Sequence, residues 1–148
     1  MVHALQLAHS LLSPGAVLVD IHPTGQPSVI EINVGGVRRR LGEMQETDDF
    51  IEYFQADEAL VQVMHSGLFT RTRRAEFIFL DHAASLEELR SYLLDNWSDA
   101  VWPDEVTRRA NEISPPGQSA EIPATLVEYV SISRLQKLSP HLDESPSR

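Results

Sequence analysis

The sequence predicts an α/β fold, a small mixed β-sheet with flanking helices. Three observations lead there. Stretches with apolar residues at helical spacing alternate along the chain with short apolar runs of strand length. The segment LLSPGAVLVDIHP, residues 11–23, carries a helix end through a Pro-Gly turn into a run apolar on both faces, the pattern of a buried strand in a parallel α/β sheet. That run closes on Asp-Ile-His-Pro, which leaves polar groups at the carboxyl rim where such sheets bind ligands.

Residues 2–12 set Leu5, Leu7, Ala8, Leu11 and Leu12 on a broad helical stripe, stopped by Pro14-Gly15. Ala16 to Ile21 form the buried strand, and HPTGQPS at 22–28 is turn-rich. VIEINVGGVRRRL is two short runs about Gly35-Gly36, a hairpin with a two-residue loop. Ile30, Ile32 and Val34 line one face of it, Glu31 and Asn33 the other. Counting outward from the loop sets Arg40 opposite Glu31 and Arg38 opposite Asn33, a cross-strand charge pairing. A helix follows from about 48 to 66, entered through Thr47-Asp48-Asp49, with Phe50, Phe54, Leu60, Val61 and Met64 near helical spacing and Gly67 as its C-cap.

Residues 69–81 read as a strand whose FIFL end, Phe77 to Leu80, is expected to be buried on both faces. In SLEELRSYLLDNW, Ser85 and Glu88 have the spacing of a capping box, and Leu86, Leu89, Leu93 and Trp97 form the core face. Pro103 opens one more helix to about Ile113, with Val106, Ala110 and Ile113 inward. Residues 114–123 are a loop by composition, TLVEYVSISRL is the last strand, and 139–148 has too little to bury and reads as a disordered tail. One domain over 1–138 results, with a helical insertion at about 85–113.

Composition narrows the function. A chain of 148 residues can bury a real core, and its 42% hydrophobic and 23% charged residues are ordinary for a globular protein. The net charge of −10 argues against nucleic acid and against an anionic membrane surface. No apolar run approaches the roughly 20 residues of a membrane span, and the start MVHALQLAHS lacks the pattern of a signal peptide. A cytoplasmic location is the expectation. Without cysteine there is no disulfide, thiolate metal site or cysteine nucleophile.

The order helix, strand, hairpin, helix, strand, helices, strand resembles the carboxyl half of a class I S-adenosylmethionine-dependent methyltransferase, a Rossmann-like fold. ALQLAHSLLSPGAVLVDIHP is similar to the helix and fifth strand of that family, and ALVQVMHSGLFTRTRRAEFIF to its next helix, turn and sixth strand. SLEELRSYLLDNWSDA resembles the helical insertion that often follows, and TLVEYVSISRLQK the seventh, antiparallel strand. The likeness spans about residues 3–137. The family holds its cofactor on the first half of the sheet, in a Gly-rich loop after strand one, with an acidic residue ending strand two. The seven glycines here, at 15, 25, 35, 36, 42, 67 and 117, include no Gly-x-Gly. The resemblance implies the ancestry and not the activity: without the Gly-rich loop no cofactor is expected for this chain, and S-adenosylmethionine binding is not expected of it.

Asp20 and His22 close the first strand, and Asp81 and His82 the second long one. If the antiparallel last strand lies between them, as the resemblance implies, their ends point the same way, two strand spacings or roughly 10 Å apart. That rim is the acceptor side in the family, so these four residues are the candidate substrate or ligand site, set against the plainer reading of polar strand ends in solvent. The six histidines, at 3, 9, 22, 65, 82 and 141, show no metal-binding spacing. Arg38 to Arg40 and Arg71, Arg73 and Arg74 could hold anions, but solvated strand ends explain them more simply. No Gly-x-Ser-x-Gly elbow supports a hydrolase. Trp97 and Trp102 are expected to pack the insertion.

The reading is a methyltransferase-like protein without a cofactor site, acting as a non-catalytic binding or interaction protein. Its alternative is the carboxyl part or a subunit of a small-molecule methyltransferase whose cofactor half lies on another segment or partner chain. A small-molecule ligand fits either. The strand at 16–21 lacks the neighbour that the family places beside it, and no lysine, proline or inward charge blunts that edge, so a homodimer is the expected cover unless the hairpin folds back onto it.

Overall fold

The computed structural model describes residues 1–48, 50–114 and 122–138; residues 115–121 of the loop expected at 114–123, and the tail expected at 139–148, lie outside the described residues. The elements in chain order are α1 (Val2–Leu11), β1 (Val17–Pro23), β2 (Val29–Val34), β3 (Val37–Glu43), β4 (Gln45–Glu46), α2 (Ile51–His65), β5 (Phe69–Ala83), α3 (Leu86–Asn96), β6 (Ala100–Val101), α4 (Asp104–Ile113) and β7 (Ala124–Lys137). The chain is α/β, with four helices among the described residues and a five-stranded sheet.

β7 is the axis of that sheet. Along one side it pairs with β5, from Phe69 opposite Lys137 to Ala83 opposite Ala124. Its other side is shared end to end. β1 takes the carboxyl half, Val17 opposite Gln136 to Pro23 opposite Val130, and β2 takes the amino half, Val29 opposite Val127 to Ile32 opposite Ala124. β3 lies outside β2. Every ladder is antiparallel. β1 and β5 run the same way, yet they never touch, because β7 separates them. Among the described residues the sheet is therefore antiparallel throughout, which corrects the mixed sheet and the parallel setting of the first strand expected from the sequence.

Local chemistry sets several elements as expected. Gly35 and Gly36 have φ of 59° and 83°, the two positive values that a tight two-residue hairpin loop requires. Asn33 and Glu31 face Arg38 and Arg40 in register. The charges pair otherwise: Glu31 meets Arg38 at 3.8 Å, and Arg40 turns to Glu43. A bulge between Ile30 and Glu31 leaves Leu41 as the extra residue of β3, and Leu41 is fully buried. The Glu88 N–H donates to Ser85 Oγ at 3.1 Å, and the Ala84 N–H donates to Glu88 Oε2 at 2.7 Å, closing the start of α3. Gly67, at φ 71°, ends α2: its N–H donates to Met64 O and that of Leu68 to Val63 O.

Two cores form, one at each end of β7. Beneath α3 and α4, Ile30, Ile32, Leu41, Met44, Leu89, Leu93, Val106 and Leu126 pack together, with Trp97 and Trp102 against them as expected. Beneath α1 and α2, Leu5, Ala59, Leu60, Val63, Phe69 and Leu135 form the second, joined by Leu18.

Four expectations about burial are corrected. β1 is not buried on both faces: Val17, Val19 and Ile21 are exposed. The FIFL end is not buried either, since Phe77, Ile78 and Phe79 are 42%, 58% and 47% exposed. The cause is the division of labour between the helix pairs. α1 and α2 cover the face of the sheet that carries Leu18 and Leu135 at the carboxyl end of β7, away from Ile78, while α3 and α4 cover the opposite face only at the end of the sheet that carries Ala124 and Leu126. In α2 the inward stripe is Ala56, Ala59, Leu60 and Val63, with Phe54 and Val61 exposed, because Ala59, Leu60 and Val63 are the residues that meet Leu5, Phe69 and Leu135; the helix starts after Phe50, at φ 62°. Leu7, Leu11 and Ile113 also face outward rather than into the core.

Candidate functional site

The four expected rim residues fall into separate places. β1 ends at Pro23, level with Phe77, whereas β5 runs on to Ala83. His22 is level with Glu76, so Asp81 lies five residues, about 17 Å, further along its strand. Asp20 and His22 also share the register parity of Ser133 and Ser131, and Asp81 that of Leu126, which puts them on opposite faces of the sheet. Two polar assemblies result.

The first lies between β1, β7 and α2. His22 Nδ1 and Asp20 Oδ2 are 2.6 Å apart, two residues along one strand and on one face. His22 Nε2 points toward Asp57 Oδ1 of α2 at 3.6 Å, beyond hydrogen-bond reach. Asp57 Oδ2 in turn faces Arg74 Nη2 of β5 at 3.7 Å, and Arg74 also meets Glu76 at 3.5 Å. Ser131 and Ser133, opposite His22 and Asp20, are each 1% exposed and their Oγ atoms have no hydrogen-bond partner.

Serine, histidine and aspartate thus meet on adjoining strands, and chemistry would need more. A serine nucleophile requires a hydrogen bond to the imidazole and a path for substrate. Here Nε2 makes no such bond, and neither serine reaches solvent. The assembly is a polar layer that ties α2 to both flanking strands through Asp57.

The second assembly is a cleft of about 260 Å³ lined by Tyr53, Asp81, Tyr92, Asn96, Trp97 and Glu128, with Leu93 and Leu126 at its base. Burial pushes the Glu128 carboxyl above the usual carboxylate range, and the charge of Asp81 adds to the shift. Tyr53 donates its hydroxyl to Glu46 Oε1 at 2.8 Å, fixing one wall. Two carboxylates between aromatic walls suit a cation, an ammonium or a guanidinium, better than an anion. His82 stands apart, exposed, with Nδ1 3.0 Å from Thr125 Oγ1.

No family model, curated protein or solved structure matches this chain. Function therefore rests on geometry. Among the described residues no group of three or more histidine or acidic side chains could hold a metal, and no helix is long and apolar enough to cross a membrane.

The same face of the sheet is uncovered further along β7. There Val19, Arg73, Ala75, Ile132 and Arg134 line a depression of about 340 Å³. Pairing puts Ile21, Phe77, Phe79 and Glu128 on the same face. The outer edge of β1 is also unpaired among the described residues, since the hairpin joins β7 and not β1.

Sequence reasoning missed Glu128, Tyr53, Asp57 and the serines. One signal was present: the alternation Glu-Tyr-Val-Ser-Ile-Ser-Arg in the last strand marks one polar face at Ser131 and Ser133. Nothing local marks Tyr53, whose role depends on Glu46 and on β7.

Proposed function

We propose that this chain is a methyltransferase-related interaction protein that docks the open part of its sheet onto another folded surface and has no S-adenosylmethionine site of its own. The observation that carries this reading is the uncovered face of β1, β7 and β5, where Val19 and Ile21 of β1 are 55% and 58% exposed, and Phe77 and Phe79 of β5 42% and 47%, with Val130 and Ile132 of β7 between them. Contiguous apolar surface of this kind marks contact with another molecule. The placement of β7, antiparallel between two strands of common direction, supports the ancestry that the sequence resemblance implies.

A second reading has its own support. The outer edge of β1, unpaired among the described residues, favours a role as the carboxyl part or subunit of a small-molecule methyltransferase, with the cofactor half pairing along that edge. The cofactor separates intrinsic activity from docking. Calorimetric titration of the chain with S-adenosylmethionine is expected to give a dissociation constant no tighter than about 1 mM, near −4 kcal/mol. A micromolar constant would show a working cofactor site and defeat the proposal.

A further inference from the structure

Charge is distributed unevenly on the open face. At one end Arg73 and Arg134 stand directly opposite each other, and neither has an ion-pair partner among the described residues. Like charges placed so destabilise a sheet. Among the described residues Arg134 Nη1 finds only the Thr72 hydroxyl, at 2.8 Å. At the other end Asp81 and Glu128 line the aromatic cleft, and no cation pairs with either among the described residues. Between the two ends the face is apolar: Ile21, Ile132 and Ala75 form one row across the three strands, and Pro23, Val130 and Phe77 the next. From Arg134 to Glu128 is six residues, about 20 Å along β7.

A surface that is positive at one end, apolar in the middle and negative at the other is complementary to itself turned end for end. We propose that the open face receives a second copy of this chain, face to face and with strand directions reversed. Arg73 and Arg134 of each copy then lie over the Asp81–Glu128 cleft of the other. The proposal rests on reading the chain as an interaction protein, and it names the partner.

The symmetry is a two-fold axis lying between the sheets and crossing β7 near Ser131, midway between Arg134 and Glu128. The apolar rows then meet at the centre, between the α3 of one copy and that of the other. A guanidinium entering the cleft meets two carboxylates and the aromatic side chains of Tyr53, Tyr92 and Trp97, surroundings that suit Arg. The net charge of −10 opposes self-association at long range. Screening beyond about 8 Å leaves local pairs to decide the contact.

Charge exchange between chains tests this. Arg134→Glu sets carboxylate over carboxylate in a pair of identical copies, and Glu128→Arg sets guanidinium over guanidinium. Each variant alone is expected to weaken the dimer by about tenfold or more and to run as a monomer in native mass spectrometry. An equal mixture of the two restores both contacts, so a heterodimer is expected. Circular dichroism of each variant separates lost association from lost fold, and Asp81→Arg replaces Glu128→Arg if the latter does not fold. A mixture that stays monomeric overturns the proposal. So do variants that remain dimeric, which would place the contact elsewhere, such as the free edge of β1. A monomeric wild-type chain also overturns it, while leaving the interaction reading, which fails only on tight cofactor binding.

Discussion

Tyr53 shows how one side chain links distant parts of this chain. Its hydroxyl donates to Glu46 in β4 while its ring walls the cleft beside Glu128 in β7. Burial, then the bond to Glu46 and that group's charge, raise the Tyr53 pKa above its ordinary value. Burial likewise raises that of Glu46, against the opposing effect of the Tyr53 hydrogen bond. Removing the hydroxyl leaves a half-buried carboxylate without its donor, so Tyr53→Phe should cost about 1–3 kcal/mol at neutral pH. The sign with pH is fixed by the raised tyrosine. Its contribution is present in full below the unfolded value of about 10 and falls away as pH rises above it. Urea denaturation at neutral and strongly alkaline pH should therefore show the wild type losing stability that the Phe variant does not lose. Parallel losses in both would contradict this account. The Tyr53–Glu46 bond was not legible in the sequence, because it depends on β4 pairing with β6, two residues each, about 55 positions apart.

At the scale of elements, legibility followed locality. The cap of α3, the Gly35-Gly36 loop and the end of α2 at Gly67 are set by neighbours within a few residues, and each was readable. Burial was not, because it depends on what covers a strand. Residues 77–80 look like a doubly buried strand, yet the helices that would bury Phe77 and Phe79 sit elsewhere. The inward stripe of α2 hid for the opposite reason. Ala56 and Ala59 carry little hydrophobic signal, while the conspicuous Phe54 faces out. The two ends of β5 make a direct comparison. Phe69 is 1% exposed, so Phe69→Ala should cost about 3–5 kcal/mol. Phe79 is half exposed, and Phe79→Ala should cost about half of that or less when measured at dilutions that keep the chain monomeric. Equal denaturation midpoints for the two variants would mean that the strand is packed differently.

Taken whole, the molecule is two small cores strung along one long strand. α1 and α2 close one end of β7, α3 and α4 close the other, and the open face of β1, β7 and β5 is left between them. The candidate rim was legible as residue types but not as a site: Asp20 and His22 went into a polar layer under α2, and Asp81 of β5 lines one cleft with Glu128 of β7 on the other face. The ordered succession of elements could be read because each announces itself locally. Which faces stay open could not, since that follows from where the helices pack.

The central claim is that a second copy completes this open face. Sedimentation velocity of the unmodified chain over a dilution series measures it most directly. At micromolar concentration the account predicts a main boundary at twice the 16.6 kDa chain mass, giving way to monomer on dilution. One boundary at the chain mass throughout would contradict it.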